Sequence, residues 1–308
     1  MAEIDLYELK DGCSCSIAPG WGCNLFSWKD DGAELMYCPE NLPNEAVKIT
    51  GGGNPILFPA IGRTWDRSSG EPVQGRYRIH GSDATYLMPS HGILFLSKFT
   101  KVAEARHADG VSALYELVVP SKVRRENYPF DVGLTQRFTL THASVELEAI
   151  AVNKGPTPAP VAFGYHPYFR VSSNEREGVE VRFPVTKEVL LTKDTVLPTG
   201  ETKAAEPIIK LQPDVYYDNV FCGLTGRRMS LVDRKAGRVI NVDYDESFEM
   251  LVVYSPDGSE FVCIEPWTPG LGAYERLREP GWETGEFIPV LQPGESRTFK
   301  AVLSVSGS

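Results

Sequence analysis

The feature that most constrains this chain is its punctuation: 28 glycines and 23 prolines are spread through 308 residues rather than gathered in one block. That spacing limits the length of any regular element. The segments between turns alternate apolar and polar side chains, the period of a strand with one buried face. Leu134, Phe138 and Leu140 fall on one side of residues 135–141, Thr135, Arg137 and Thr139 on the other, and residues 145–152 follow a short turn at His142-Ala143. This is a hairpin pattern. Residues 229–233, 238–243, 249–254 and 261–265, divided by turns at 234–237 and Pro256-Asp257-Gly258-Ser259, read as a meander. Residues 23–28 and 33–37 flank Asp30-Asp31-Gly32, and residues 291–305 supply a turn at Pro293-Gly294 and a last strand. Helical signals are scarce and no short repeat recurs. The economical architecture is all-β, a large antiparallel β-sandwich spanning 1–308 as one domain, with Gly/Pro/Ser-rich loops at 62–74 and 153–160 suited to carry function.

Composition narrows the function classes. A chain with 42% apolar residues and this length buries a large core without metal or disulfide staples. The formal net charge of −10 opposes the counterion release that drives nucleic-acid binding, so neither nucleic acid nor an anionic membrane is an expected partner. No segment approaches the ~20 apolar residues of a membrane span; residues 113–119, among the better runs, are interrupted by Glu116. The N-terminal Met1-Ala2-Glu3-Ile4-Asp5-Leu6-Tyr7-Glu8 lacks the basic and apolar regions of a secretory signal, which predicts a cytoplasmic protein. Cys13, Cys15, Cys23, Cys38, Cys222 and Cys263 contain no C-x-x-C pair and read as reduced thiols rather than a zinc site or disulfide framework.

Three local patterns fail as chemistry. Gly51-Gly52-Gly53 has no following Lys-Ser/Thr and no helix, so it marks a close backbone approach rather than a phosphate loop. Asp243-Tyr244-Asp245-Glu246 lacks calcium-loop spacing and reads as a solvated turn. His80-Gly81-Ser82-Asp83 has serine-triad residue types, but adjacent residues cannot adopt triad geometry.

More specific are Pro55-Ile56-Leu57-Phe58-Pro59, Ser90-His91-Gly92, Phe163-Gly164-Tyr165-His166-Pro167-Tyr168-Phe169, Tyr217-Asp218-Asn219-Val220-Phe221 and Ile264-Glu265-Pro266-Trp267-Thr268. In this order, over about two-thirds of the chain, they resemble the aldose 1-epimerase (galactose mutarotase-like) family. The resemblance implies the galactose mutarotase-like supersandwich, a sugar bound on its concave face, and no metal or organic cofactor. It implies His166 as general acid, Glu265 as general base, and His91 and Asp218 as hydrogen-bonding partners of the sugar. A substrate-binding arginine is also implied, with Arg63 the choice and Arg67 and Arg76 left open. The chain departs from the family after His91-Gly92, where Ile93-Leu94-Phe95-Leu96 replaces an aromatic, Ala, Arg run. An arginine there helps phosphate-accepting relatives, so its absence argues against a hexose phosphate.

These residue types suit the chemistry. Opening a cyclic hemiacetal removes the O1 proton while the ring oxygen gains one. A carboxylate with a pKa of ~4.3 is ionised to accept, and an imidazole at ~6.5 can donate if nearby carboxylates keep it cationic. Pro266 should end strand pairing after Glu265 and so aim the carboxylate into a cleft, while Pro167 keeps His166 extended. For Trp267, Trp65 and Tyr168, core packing competes with sugar stacking. The expected activity is interconversion of the α and β anomers of a free hexose. A non-catalytic sugar-binding protein and a hexose-phosphate 1-epimerase are the alternatives, and the sequence carries no signal of oligomeric state.

Overall fold

In a computed structural model, residues 3–39, 50–68, 70–171 and 173–307 are described. Met1 and Ala2 of the acidic N-terminal stretch, and Ser69 of the 62–74 loop, lie outside them. Two large antiparallel sheets dominate. The first has nine strands in the order Lys98–Arg106, Gly110–Val118, Val132–Thr141, Ser144–Asn153, Ser296–Gly307, Arg238–Tyr244, Arg228–Asp233, Val179–Arg182 and Ile208–Lys210. The second runs Pro198–Ala204, Lys187–Leu191, Tyr217–Cys222, Met250–Ser255, Phe261–Trp267, Gly164–Tyr165 and Ile56–Leu57, with Tyr168–Arg170 also paired to Phe261–Trp267. A four-stranded sheet (Asp5–Glu8, Ser14–Ala18, Asn24–Asp30, Ala33–Glu34) completes the N-terminal part. Among the described residues the α-helices are short, Ser121–Glu126 and Ala273–Arg276, and no helix is long and apolar enough to cross a membrane.

The alternation read from the sequence accounts for the hairpin at the centre of the nine-stranded sheet. Every second residue of Val132–Thr141 and Ser144–Asn153 is buried, and the two-residue connection places Ala143 in the left-handed region. The C-terminal strand enters beside this hairpin and joins it to Arg238–Tyr244. The two sheets meet through aromatic rings: Phe163 and Phe299 stack at 4.4 Å, and Phe248 and Tyr165 close around them. Tyr165 also donates to Gln136 Oε1 at 3.2 Å, a polar link inside the apolar layer.

The structure corrects the expected meander. Its first two strands belong to the nine-stranded sheet and its last two to the other. Between them Asp245 accepts from the Ser247 and Lys300 amides, and the Phe248 ring is fully buried at the junction. Removing that ring from water draws the chain from one layer to the other, where a tight hairpin would leave it exposed. The acidic run is also more ordered than a solvated turn. Asp243 pairs through both oxygens with Arg228, and Tyr244 is buried within the strand. The glycine run does mark a close approach: Gly53 has φ +72°, and a Cβ there would lie 2.3 Å from Asn24 Oδ1.

Candidate active site

Strand alternation builds the site. On the eight-stranded sheet Val220 lies opposite Val252, and Val252 opposite Glu265; one row along, Asp218 faces Tyr254 and Tyr254 faces Cys263. Leu191, Asp218, Val220, Val252, Tyr254, Glu265 and Trp267 consequently share the face turned from the aromatic layer, and all seven line one cleft. The flanking strand is broken in two. Gly164 pairs with Trp267 and Tyr168 with Cys263, a common register that puts His166 directly opposite Glu265. Two residues far apart in the chain thereby become neighbours on one face.

Pro167 lies in this break, and Pro266 in the unbroken strand beside it. Pairing continues past Glu265, with Pro266 opposite Leu251 and Trp267 opposite Met250, so Glu265 is not the strand end that its following proline suggested. The reason is directional. Thr268 donates its amide to Phe163 on the side of the broken strand, and Trp267 accepts from Glu249 on the other. Pro266, two residues before Thr268, turns its missing N–H to the same side, so pairing with Met250–Ser255 on the other is kept.

Loops form the remaining walls. The His91 amide donates to Gly62 O at 2.9 Å, while its Nδ1 accepts from the Gly62 amide at 3.3 Å. That double contact fixes the ring's orientation and the tautomer facing the loop. Next to it Gly92, at φ +93°, passes so close that a Cβ would sit 2.0 Å from Phe58 O. Asn54, which sequence reasoning missed, accepts from the His166 amide at 3.1 Å and donates its own amide to Asn24 Oδ1 at 2.7 Å. The three arginines separate. Arg63 lines the cleft at its exposed rim, Arg67 turns to Glu275 (3.4 Å) and the Thr195 hydroxyl (3.2 Å) beside a second depression, and Arg76 lines neither.

At the floor His166 Nδ1 lies 3.4 Å from Glu265 Oε1, both residues buried, without hydrogen-bond alignment between them. The other carboxylate oxygen, Oε2, accepts from Trp267 Nε1 at 3.0 Å. The His166 ring stacks on Tyr168 at 4.7 Å, and the His91 ring meets its edge at 5.6 Å. Burial pushes the His166 imidazole well below its ordinary pKa, and His91 acts in the same direction. Burial pushes the Glu265 carboxyl well above the usual carboxylate range, helped by Asp218 and opposed by the Trp267 donor. His91 falls to about 4 through burial and the nearby Arg63. Desolvation thus works against the cationic imidazole that nearby carboxylates were expected to maintain, and against an ionised carboxylate beside it.

The structure thus brings His166, Glu265, His91, Asp218 and Arg63 to one cleft of about 250 Å³, close to the lower end of the ~300–1,000 Å³ usual for small-molecule sites. Asp218 accepts from Tyr216 at 3.4 Å, and its pKa is raised by burial. Tyr168 and Trp267 line the cleft, whereas Trp65 instead donates to Thr195 O. Tyr216, Tyr254, Val196 and Leu271 also line it without having been singled out. Tyr254 was reachable from strand alternation; the others come from loops whose course alternation does not report.

Known proteins share this chain's family and fold. The family model described as aldose 1-epimerase matches residues 5–304. The chromosomal protein LacX of Lactococcus lactis subsp. lactis is 24% identical over 262 residues, 80% of this chain and 82% of its own length. The Slr1438 protein from Synechocystis sp. PCC 6803 superposes with a TM-score of 0.84 at 22% identity, covering 100% of this chain and 97% of that one. A galactose mutarotase-like protein from Clostridium acetobutylicum gives 0.76 at 19% identity, covering 100% and 99%. At these identities the structural likeness establishes the galactose mutarotase-like β-sandwich.

Proposed function

Because this chain belongs to the aldose 1-epimerase family, we propose that it is an active aldose 1-epimerase of a free hexose, working on cytoplasmic sugar without a metal or organic cofactor. The observation that carries this reading is the buried pair at the floor of the cleft: His166 Nδ1 and Glu265 Oε1, 3.4 Å apart and both lacking a hydrogen-bond partner. A buried polar atom without a protein partner calls for an explanation, and a catalytic role is one of the few available.

The pair stands side by side on one wall of the cleft. That arrangement suits a hemiacetal, whose ring oxygen and anomeric hydroxyl are bonded to the same carbon. Glu265 takes the proton from the anomeric hydroxyl as His166 gives one to the ring oxygen, and the C1–ring-oxygen bond opens. Rotation about C1–C2 turns the aldehyde, and the reverse transfers close the ring to the other anomer. The reacting form of the pair, carboxylate and imidazolium, is the one that desolvation disfavours, and opening the ring neutralises it. A water-poor floor that favours neutral forms lowers the cost of the open state. Asp218, His91 and Arg63 hold distal hydroxyls, so the reacting end turns while the rest stays fixed.

Among the described residues, Arg63 is the sole Lys or Arg lining the cleft. Ile93 and Leu94 after the His91-Gly92 turn are fully buried. Both observations favour a free sugar over a phosphate ester. The test is proton NMR of anomer exchange with freshly dissolved α-glucose and α-galactose. Wild type should accelerate exchange, and His166→Ala and Glu265→Gln should each lose on the order of 10²–10⁴-fold. Saturable sugar binding with no acceleration by folded wild type would leave a binding protein instead.

A further inference from the structure

Cysteine spacing along a chain bears only on metal sites built from sequence neighbours, whereas here the fold assembles donors from two strands. An imidazole nitrogen of His166, the thiol sulfur of Cys263 and a carboxylate oxygen of Glu265 all lie within 4.8 Å of one another, and all three residues are buried. We infer that this trio is a binding site for a thiophilic divalent cation of the zinc type, and that such a cation shuts the cleft to sugar. The second half rests on the proposed function; the first does not.

Geometry supports the site. Two ligands held at ~2.0–2.1 Å by one tetrahedral ion stand roughly 3.3–3.4 Å apart, and His166 Nδ1 and Glu265 Oε1 are 3.4 Å apart already. Both atoms are buried and lack hydrogen bonds, so an ion there would satisfy them rather than displace a partner. With Zn–S at ~2.3 Å the sulfur would stand about 3.6 Å from the other two ligand atoms, so from a separation of up to 4.8 Å it has to approach by about 1.2 Å at most. Glu265 Oε2 is already held by Trp267 Nε1, the kind of outer partner that orients a ligating carboxylate.

The donor set chooses the ion. One nitrogen, one sulfur and one oxygen suit a borderline-soft cation, while magnesium and calcium require oxygen cages. His166 and Glu265 border the cleft and Cys263 does not, so the fourth coordination position opens towards the sugar's place. On binding, the thiol proton of Cys263 and the carboxyl proton of Glu265 leave to solvent, and the ion holds the two groups that would otherwise exchange protons with the hemiacetal.

The full chain titrated with Co²⁺ alone should develop a thiolate-to-cobalt absorption band at one equivalent, bleached by Zn²⁺. Five other free cysteines are present, so the decisive variant is Cys263→Ser, with Cys263→Ala as a second in case the first fails to fold. Either folded variant should lose the band, and His166→Ala should weaken ion binding at least tenfold. Wild-type anomer exchange should be inhibited by Zn²⁺ competitively with sugar. Cys263→Ser should exchange at near wild-type rate and require at least tenfold more Zn²⁺ for the same inhibition. A band that persists in the Cys263 variants, or never forms in wild type, overturns the site. A normal band in a protein without exchange activity would overturn the proposed function and leave the metal site standing.

Discussion

At the scale of single residues, the site turns on which polar atoms are held and which are free. Trp267 occupies one oxygen of Glu265 and leaves the other facing His166, so one indole makes the carboxylate's two oxygens unequal. His166 and Glu265 were legible in the sequence through the short motifs around them. Trp267 and Tyr168 were not, because an aromatic residue in a strand reads as core whether it faces the core or a cleft. The arginine was open among three candidates for a similar reason: loop residues carry no period that reports direction. Arg63 alone of these reaches the cleft. Arg63→Ala should lower kcat/KM by about 10–100-fold, the usual range for a hydrogen bond from a charged donor, mainly through KM. Arg76→Ala should leave both constants unchanged. An equal loss from both variants, in NMR exchange kinetics over a range of sugar concentrations, would rule out this assignment.

At the scale of elements, alternation and turn residues located the central hairpin and most strands of the expected meander, but not the sheet to which each strand belongs. Membership was decided by Phe248, whose burial between layers is a tertiary preference invisible in a local pattern. The turn after Lys187–Leu191 was equally illegible and bears on selectivity. Val196 has φ +56°, a conformation β-branched residues avoid at a cost of ~1–3 kcal/mol. The turn is held by Trp65 donating to Thr195 O, Arg67 donating to the Thr195 hydroxyl and Val196 donating to Thr192 O. This bracing keeps the Val196 side chain against the cleft. Val196→Gly should therefore leave thermal stability unchanged or raise it by about 1 kcal/mol, and narrow the rate differences between hexoses that differ at one hydroxyl. Unaltered selectivity across a sugar panel would show that the strained side chain does not shape the cleft.

At the scale of the whole molecule, the aromatic layer between the sheets supports the cleft from behind. Phe163, stacked on Phe299, is next to the strand that leads to His166. Phe299→Ala should cost about 3–5 kcal/mol in denaturant unfolding, far more than a surface change such as Arg76→Ala. The sandwich class was legible because so many short alternating segments with frequent turns have few other ways to bury an apolar face. The cleft was legible only through motifs, since it exists where distant segments align. Because His166 and Glu265 meet by cross-strand register, sliding either segment by a single position would point one of them into the aromatic layer. Under the proposed function, turnover doubles as a ruler with one-residue graduations, reading out whether two remote stretches of polypeptide have settled in step.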